Sequence, residues 1–106
     1  MTVENNRYAK TFSTGQVVMT RGVLELCRQD PRFAAFVSQS LRRHVSGDWG
    51  DVEAEDRQSN DLALQEGDRL LSAYNDDRFP RNGVSNLWII TEADRSSTCI
   101  LFPDEY

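Results

Sequence analysis

The sequence predicts an α+β fold in which about three N-terminal helices pack on an antiparallel sheet of three or four strands. Between residues 21 and 66, apolar side chains recur at helical spacing. From residue 69 onward the period changes to two, and β-branched and aromatic side chains become frequent. Because short segments link the later strands, strands that follow each other in sequence should pair as an antiparallel meander.

The N-terminal part of the chain predicts a short strand and then a short helix. Residues 1–10 are polar and predict a flexible arm, so residues 11–106 should form a single α+β domain. The apolar run at residues 16–19 predicts a short strand or irregular segment. Thr20 is a suitable N-cap for a helix over residues 21–28.

The second helix has the strongest start signal in the sequence. Asp30 can cap the first turn, and Pro31 suits the first helical position. Six residues then mark its inner face: Phe33, Phe36, Val37, Leu41, His44 and Val45. Gly47 predicts the end of this helix.

A third, acid-rich helix is predicted over residues 51–66 and should end at Gly67. Glu53, Arg57 and Asp61 lie four residues apart, a spacing that predicts a ladder of ion pairs on the outer face.

Three further strands are predicted at residues 69–74, 87–91 and 98–102. The connection over residues 75–86 should be a long exposed loop, and residues 92–97 have the length of a hairpin loop.

The charge of the chain is divided unevenly along the sequence. Residues 1–45 carry seven basic and three acidic side chains, whereas residues 46–106 carry five basic and fourteen acidic ones. The formal net charge is -5, which disfavours direct binding to nucleic acid. The asymmetry predicts a dipolar surface and polar partners, or two halves that attract each other within the fold.

Several functional classes lack support in the sequence. No apolar run is long enough to cross a bilayer, and the first residues do not resemble a secretory signal, so we expect a cytoplasmic protein. Cys27 and Cys99 should be reduced thiols. Nucleotide-binding glycine motifs, zinc ligand clusters and nucleophile-elbow motifs are absent, and we expect no cofactor.

His44 is the only histidine and the first candidate for chemistry. With carboxylates nearby in sequence it could form an acid/base pair or a metal site. The enzymatic hypothesis is a small metal-assisted hydrolase or nuclease that uses a set of four residues: His44, Asp48, Asp56 and Glu92. The alternative is a core or capping histidine, since His44 continues the apolar face of its helix.

Trp49 lies between two turn segments, with Gly47 before it and Gly50 after it. Such a turn could present the indole as an interface anchor, because tryptophan and arginine dominate binding hot spots. It could equally place Trp49 at one end of the core, and the sequence leaves both readings open.

Six acids crowd into fourteen residues: Asp48, Asp51, Glu53, Glu55, Asp56 and Asp61. They could imitate a row of phosphates, bind a divalent cation, or simply form a solvated helix face. The charged residues within the segment 91–95 could form a binding tip, or they could cap their loop and pair locally.

Two stretches of the sequence resemble a family of small uncharacterised proteins encoded on bacterial plasmids, integrative elements and phages. They are RHVSGDWGD at residues 43–51 and WIITEADR at residues 88–95, together with LFPDEY at residues 101–106. The resemblance covers residues 12–106 and assigns no activity to any residue. It implies an accessory gene of a mobile element, where anti-restriction and anti-CRISPR proteins also occur.

The resemblance and the missing catalytic motifs together lead us to expect a non-enzymatic protein that inhibits a host defence complex by binding it. The expected partner is a host defence protein or protein–nucleic-acid complex, with no membrane involved. The candidate contact residues are Arg42, Arg43, Trp49, Asp48, Asp51, Glu53, Glu55 and Asp56. A further alternative is a DNA-associated regulator that uses Arg32, Arg42 and Arg43.

Overall fold

The computed structural model describes residues 12–81, 83 and 85–106, so the arm predicted at residues 1–10 lies outside the described residues. The elements, in chain order, are β1 (Gln16–Met19), α1 (Arg21–Gln29), α2 (Pro31–Val45), α3 (Ala54–Glu66), β2 (Leu70–Asn75), β3 (Asn86–Thr91) and β4 (Ser97–Leu101). A 3₁₀ turn at Pro103–Glu105 follows. The predicted α+β class is therefore confirmed.

The four strands form one mixed sheet in the order β1-β4-β3-β2. β2, β3 and β4 form the expected antiparallel meander, with Ser72 opposite Ile89 and Ile89 opposite Ile100. The prediction of a wholly antiparallel sheet is wrong for β1, which runs parallel to β4 with Val17 beside Thr98. The three helices connect β1 to β2, which lies at the opposite edge of the sheet. The meander of β2, β3 and β4 then places β4 beside β1 and parallel to it.

α1 and α2 contribute their apolar residues to the main core over one face of the sheet. The α2 start matches its sequence signals, since the Asp30 carboxylate accepts a hydrogen bond from the Arg32 backbone N–H. The main core consists of Val23, Phe33, Val37, Tyr74, Phe79, Leu87, Ile89, Ile100 and Phe102. Phe79 corrects the prediction of a wholly exposed connection, because its ring packs edge-on against Phe33 at 5.2 Å.

α3 lies against β2, and α3 together with the segment that precedes it covers the outer edge of that strand. Asn60 binds both backbone groups of Leu71, donating to the carbonyl at 2.7 Å and accepting from the N–H at 3.2 Å. The chain before α3 pairs with Ala73, whose N–H donates to the Trp49 carbonyl and whose carbonyl accepts from the Asp51 N–H. This extended pairing delays the helix from the predicted residue 51 to Ala54.

The ion-pair ladder predicted on α3 does not form among the described residues. The Arg57 guanidinium instead donates to the Val52 carbonyl at 2.8 Å, while the α3 acids stay exposed. In the part of the chain that the structure describes, no helix has the length and apolarity needed to cross a membrane.

Candidate functional site

His44 lies at the C-terminal end of α2 and is completely buried against the sheet. Its Nδ1 is 2.5 Å from the Ser72 hydroxyl, and its Nε2 is 2.9 Å from the Thr91 hydroxyl. The Thr91 hydroxyl in turn lies 2.7 Å from that of Thr98, which donates to the Thr14 carbonyl at 2.8 Å. The histidine therefore belongs to a buried chain of hydroxyl groups that crosses three strands.

The carbonyl at the end of this hydrogen-bonded series fixes the direction of the two threonine protons and places a proton on Nε2 of His44. A carbonyl can only accept, so the Thr98 proton points to Thr14 and the Thr98 oxygen must accept from Thr91. Thr91 then has no proton left for His44, so Nε2–H of His44 donates to Thr91. Nδ1 of the neutral ring accepts from Ser72, and we assign His44 as the neutral Nε2–H tautomer on this basis.

The remaining surroundings of His44 keep the ring uncharged. Phe12 contacts it edge-on at 5.2 Å and Trp49 at 5.7 Å between ring centroids. Burial lowers the pKa of His44 from 6.5 to about 4, and the positive charge of Arg95 contributes in the same direction. A general base must reach substrate and titrate near the working pH, and this imidazole does neither.

The other residues of the enzymatic hypothesis do not join His44. Its ring nitrogens contact hydroxyl groups rather than a carboxylate. Asp48 binds Arg43, Glu92 lies 3.7 Å from the Arg69 guanidinium, and Asp56 is exposed on α3. Among the described residues, no group of three His, Cys, Asp or Glu side chains is placed to hold a metal ion.

Trp49 is buried, with 3 % of its surface exposed, and packs with Ala63 and Leu70 in a second small core. Its indole N–H donates to the Asp61 carboxylate at 2.9 Å, which ties the turn to α3. This position favours the second reading of Trp49, as a core residue at one end of the fold. It also gives Asp61 a structural partner.

Arg43 and Asp48 fasten the turn that ends α2. The guanidinium makes two hydrogen bonds to the carboxylate, at 2.7 and 3.2 Å, and lies 4.9 Å above the Tyr74 ring. The hydrogen bonds from Arg43 lower the pKa of Asp48 and raise that of Arg43. Asp51 is similarly engaged, because its carboxylate accepts from the Asn75 backbone N–H at 2.9 Å.

Arg95 has a structural role that the sequence did not reveal. Its guanidinium lies 2.6 to 3.3 Å from four carbonyl oxygens, those of Ala63, Asp68, Glu92 and Ala93. Ala63 belongs to the last turn of α3, so the positive charge stabilises the negative end of that helix. The Glu92 and Ala93 carbonyls belong to the same loop as Arg95, so Arg95 caps this loop locally and also reaches the end of α3 through Ala63 and Asp68.

Glu105 is a second residue whose role was not predicted. Its carboxylate accepts from the Thr20 hydroxyl at 2.5 Å and from the backbone N–H groups of Gly22 and Phe102, each at 3.0 Å. Burial alone would raise the pKa of Glu105, but these hydrogen bonds lower it overall. Glu105 therefore caps α1 and holds the C-terminal turn against it.

Six of the eight predicted contact residues are exposed: Arg42, Asp48, Asp51 and the three acids around the start of α3, Glu53, Glu55 and Asp56. The three carboxylates form no ion pair or hydrogen bond with other described residues. The basic stripe proposed for DNA is largely neutralised, because Arg32 binds Asp30 and Arg43 binds Asp48. Only Arg42 of that trio lacks a carboxylate partner among the described residues, and it donates to the Ser38 hydroxyl at 3.3 Å.

A groove of about 530 Å³ runs between α3 and the sheet. Leu62, Leu71 and Trp88 supply its apolar lining, and Asp56 and Asp68 supply carboxylates. Leu62 is 55 % exposed, so its apolar side chain is accessible in the groove. The groove therefore combines an accessible apolar surface with negative charge.

Arg69 adds the one basic side chain to the lining of this groove. Its charge is already engaged, since it lies 3.7 Å from the Glu92 carboxylate and donates to the Tyr106 hydroxyl at 2.9 Å. Tyr106 also packs edge-on against Trp88.

Comparisons with protein-family models, with curated proteins and with solved structures find no match to this chain.

Proposed function

We propose that this protein is a non-enzymatic accessory protein of a mobile element that inhibits a host defence complex by binding one of its protein components. Its contact surface is the groove between α3 and the sheet, together with the exposed carboxylates at the start of α3. The observation that carries the proposal is the groove itself, where Trp88 and the exposed Leu62 lie beside Asp56 and Asp68, two acids that form no ion pair with other described residues. Apolar anchors with a charged rim are typical of protein interfaces.

The charge of this surface indicates the kind of partner. Residues 51–68 carry seven acids and one arginine, a formal net charge of -6. We therefore propose that the partner presents a segment that combines apolar side chains with lysine or arginine. A stricter imitation of a phosphate row has less support, because residues 53, 55, 56 and 61 point in different directions around a helix of 3.6 residues per turn.

The enzymatic alternative is less well supported by the same geometry, since His44 is sealed in the core and its proposed partners are engaged elsewhere. The sequence motifs RHVSGDWGD and WIITEADR are better explained by the contacts that hold the fold together. Their side chains bind backbone groups, helix ends and one another.

The test is a protection assay in host cells that carry defined restriction or CRISPR systems. Expression of the protein should raise the transformation efficiency of a targeted plasmid in at least one of these backgrounds. Leu62→Lys with Asp56→Lys should abolish protection, because the changes remove the apolar anchor and place two positive charges against a basic partner. Asp77→Lys is the matched control, since it makes the same Asp→Lys change at an exposed acid that does not line the groove.

Two results would contradict the proposal. One is the absence of protection in every defence background with folded protein present. The other is protection that falls to the same extent, or not at all, in the folded groove variant and in the Asp77→Lys control. An affinity pull-down with the defence complex that is inhibited, performed with and without nuclease treatment, then identifies the component bound.

A further inference from the structure

The outer edge of β1 is open in the part of the chain that the structure describes. Gln16 and Thr20 donate their backbone N–H groups to the Ser96 and Ile100 carbonyls of the β4 side, each at 3.0 Å. Backbone groups alternate in direction along a strand, so those of Val17 and Met19 point away from β4. Both N–H groups and both carbonyls are therefore available to another strand.

The side chains of this edge are apolar and accessible. Val17 and Met19 are each 41 % exposed and Val18 is 39 % exposed. Natural sheets protect an open edge with charged residues, proline or a covering segment. β1 contains neither a charged residue nor proline.

The opposite edge of the same sheet shows the contrast. There Asn60 binds Leu71, and the segment around Trp49 and Asp51 binds Ala73. The fold thus closes the outer edge of β2 with its own residues, whereas the outer edge of β1 has no partner among the described residues.

We infer that β1 pairs with β1 of a second copy of this chain, antiparallel about a two-fold axis at Val18. In this register Val17 lies opposite Met19 of the second copy, and each such pair exchanges two hydrogen bonds. The four outward backbone groups of each copy are then all used. The two Val18 side chains face each other across the axis as a non-hydrogen-bonded pair, and this pair and the two Val17–Met19 pairs beside it are apolar.

The distribution of charge favours a second copy at this edge although each chain carries a net charge of -5. The most acidic segment, residues 51–68, contains α3, which lies against β2 at the far edge of the sheet. Edge-to-edge pairing through β1 keeps the two acidic α3 helices at opposite ends of the dimer. Close to β1, Arg21 lies 3.9 Å from Glu25, so the local charge is balanced.

Disulfide trapping tests the register directly. Val18→Cys is made in a background in which Cys27 and Cys99 are replaced by alanine, and Gln16→Cys is the matched control on the same face of the strand. A non-hydrogen-bonded antiparallel pair places its Cα atoms about 4.5 Å apart, within disulfide range. Two Gln16 positions would be about 13 Å apart along the strands, out of range. Oxidation should therefore link Val18→Cys alone.

Sedimentation equilibrium of the otherwise unchanged chain provides the second measurement. We expect a dimer that dissociates on dilution, and Val18→Lys should raise its dissociation constant by about tenfold or more because like charges then face each other. A monomer at every concentration, or equal trapping of Gln16→Cys and Val18→Cys, would overturn the inference. Circular dichroism verifies that each variant is folded, and neither outcome depends on the proposed inhibition of a defence complex.

Discussion

The Nε2 atom of His44 lies 2.9 Å from the hydroxyl oxygen of Thr91, and neither residue is exposed to solvent. α2 and β3 are joined by this bond through a ring whose two nitrogens both have partners. A buried histidine in such a position contributes to stability only while it remains neutral. The histidine that the sequence offers for catalysis is thus a structural residue whose charge state matters to folding.

The first prediction concerns pH. The pKa of His44 is about 4 in the folded chain and near 6.5 in the unfolded chain, so the unfolded state binds the proton more readily. The contribution of neutral His44 to the free energy of unfolding is fully present above about pH 6.5. It is lost as pH falls toward 4, by about 3 kcal/mol in total. Urea titrations across this range measure it. In His44→Gln, which cannot titrate, the dependence between pH 7 and 5 should be much weaker, and an unchanged dependence would contradict the assignment.

The second prediction concerns the hydroxyl chain. Thr91→Val keeps the shape of the side chain but removes the acceptor for His44 and the donor for Thr98. Leaving buried polar groups unsatisfied should lower the free energy of unfolding by about 1–3 kcal/mol. Thr14→Val is the control, because its hydroxyl makes only an exposed 3.2 Å hydrogen bond to the Gly15 carbonyl. Equal losses in the two variants would count against the buried chain.

The third prediction concerns Arg95. Arg95→Gln removes the charge that lies against the C-terminal end of α3 and should destabilise the fold by about 1–3 kcal/mol. It should also raise the pKa of His44, since the Arg95 charge contributes to its depression. Arg21→Gln, which affects an exposed ion pair with Glu25, should change stability by no more than about 0.5 kcal/mol. Chemical denaturation and a His44 titration of each variant provide the two readouts.

The fourth prediction compares two glycines with the same backbone conformation. Gly50 and Gly67 have φ values of 78° and 79°. A Cβ atom at Gly50 would overlap the Ala73 carbonyl and the Tyr74 ring, whereas nothing lies within 4 Å of one at Gly67. Gly67→Ala should cost about 1 kcal/mol for the left-handed conformation alone. Gly50→Ala should cost at least about 2 kcal/mol more, and similar melting temperatures for the two variants would show that the close pairing with Ala73 is absent.

Local sequence signals predicted most elements of the fold but not the pairing of β1. Asp30 and Pro31 mark the start of α2 through contacts within one turn, so they can be read along the chain, whereas the Thr20 hydroxyl does not cap α1 and binds the distant Glu105 instead. The parallel pairing of Val17 with Thr98 joins residues about eighty positions apart, and no local pattern encodes it. The late start of α3 has the same origin, because Ala73 holds the preceding segment extended.

The candidate site was predicted as a set of residues but not as an arrangement. Asp48 and Trp49 stood out by composition, yet their roles depend on Arg43 and Asp61, which lie on different helices. The hydroxyl partners of His44 carried no signal of their own, since threonine is ordinary in a strand. The groove beside Leu62 arises only when α3 is placed against the sheet, so the sequence could not show it.

The most direct test of the central claim is an NMR titration of the single imidazole of this chain. A buried, neutral His44 should show constant ring chemical shifts from pH 8 to about pH 5.5 and a midpoint near pH 4, with nitrogen shifts of the Nε2–H tautomer. A midpoint near 6.5 in the folded protein would contradict the account. It would place His44 in contact with solvent and restore the enzymatic hypothesis.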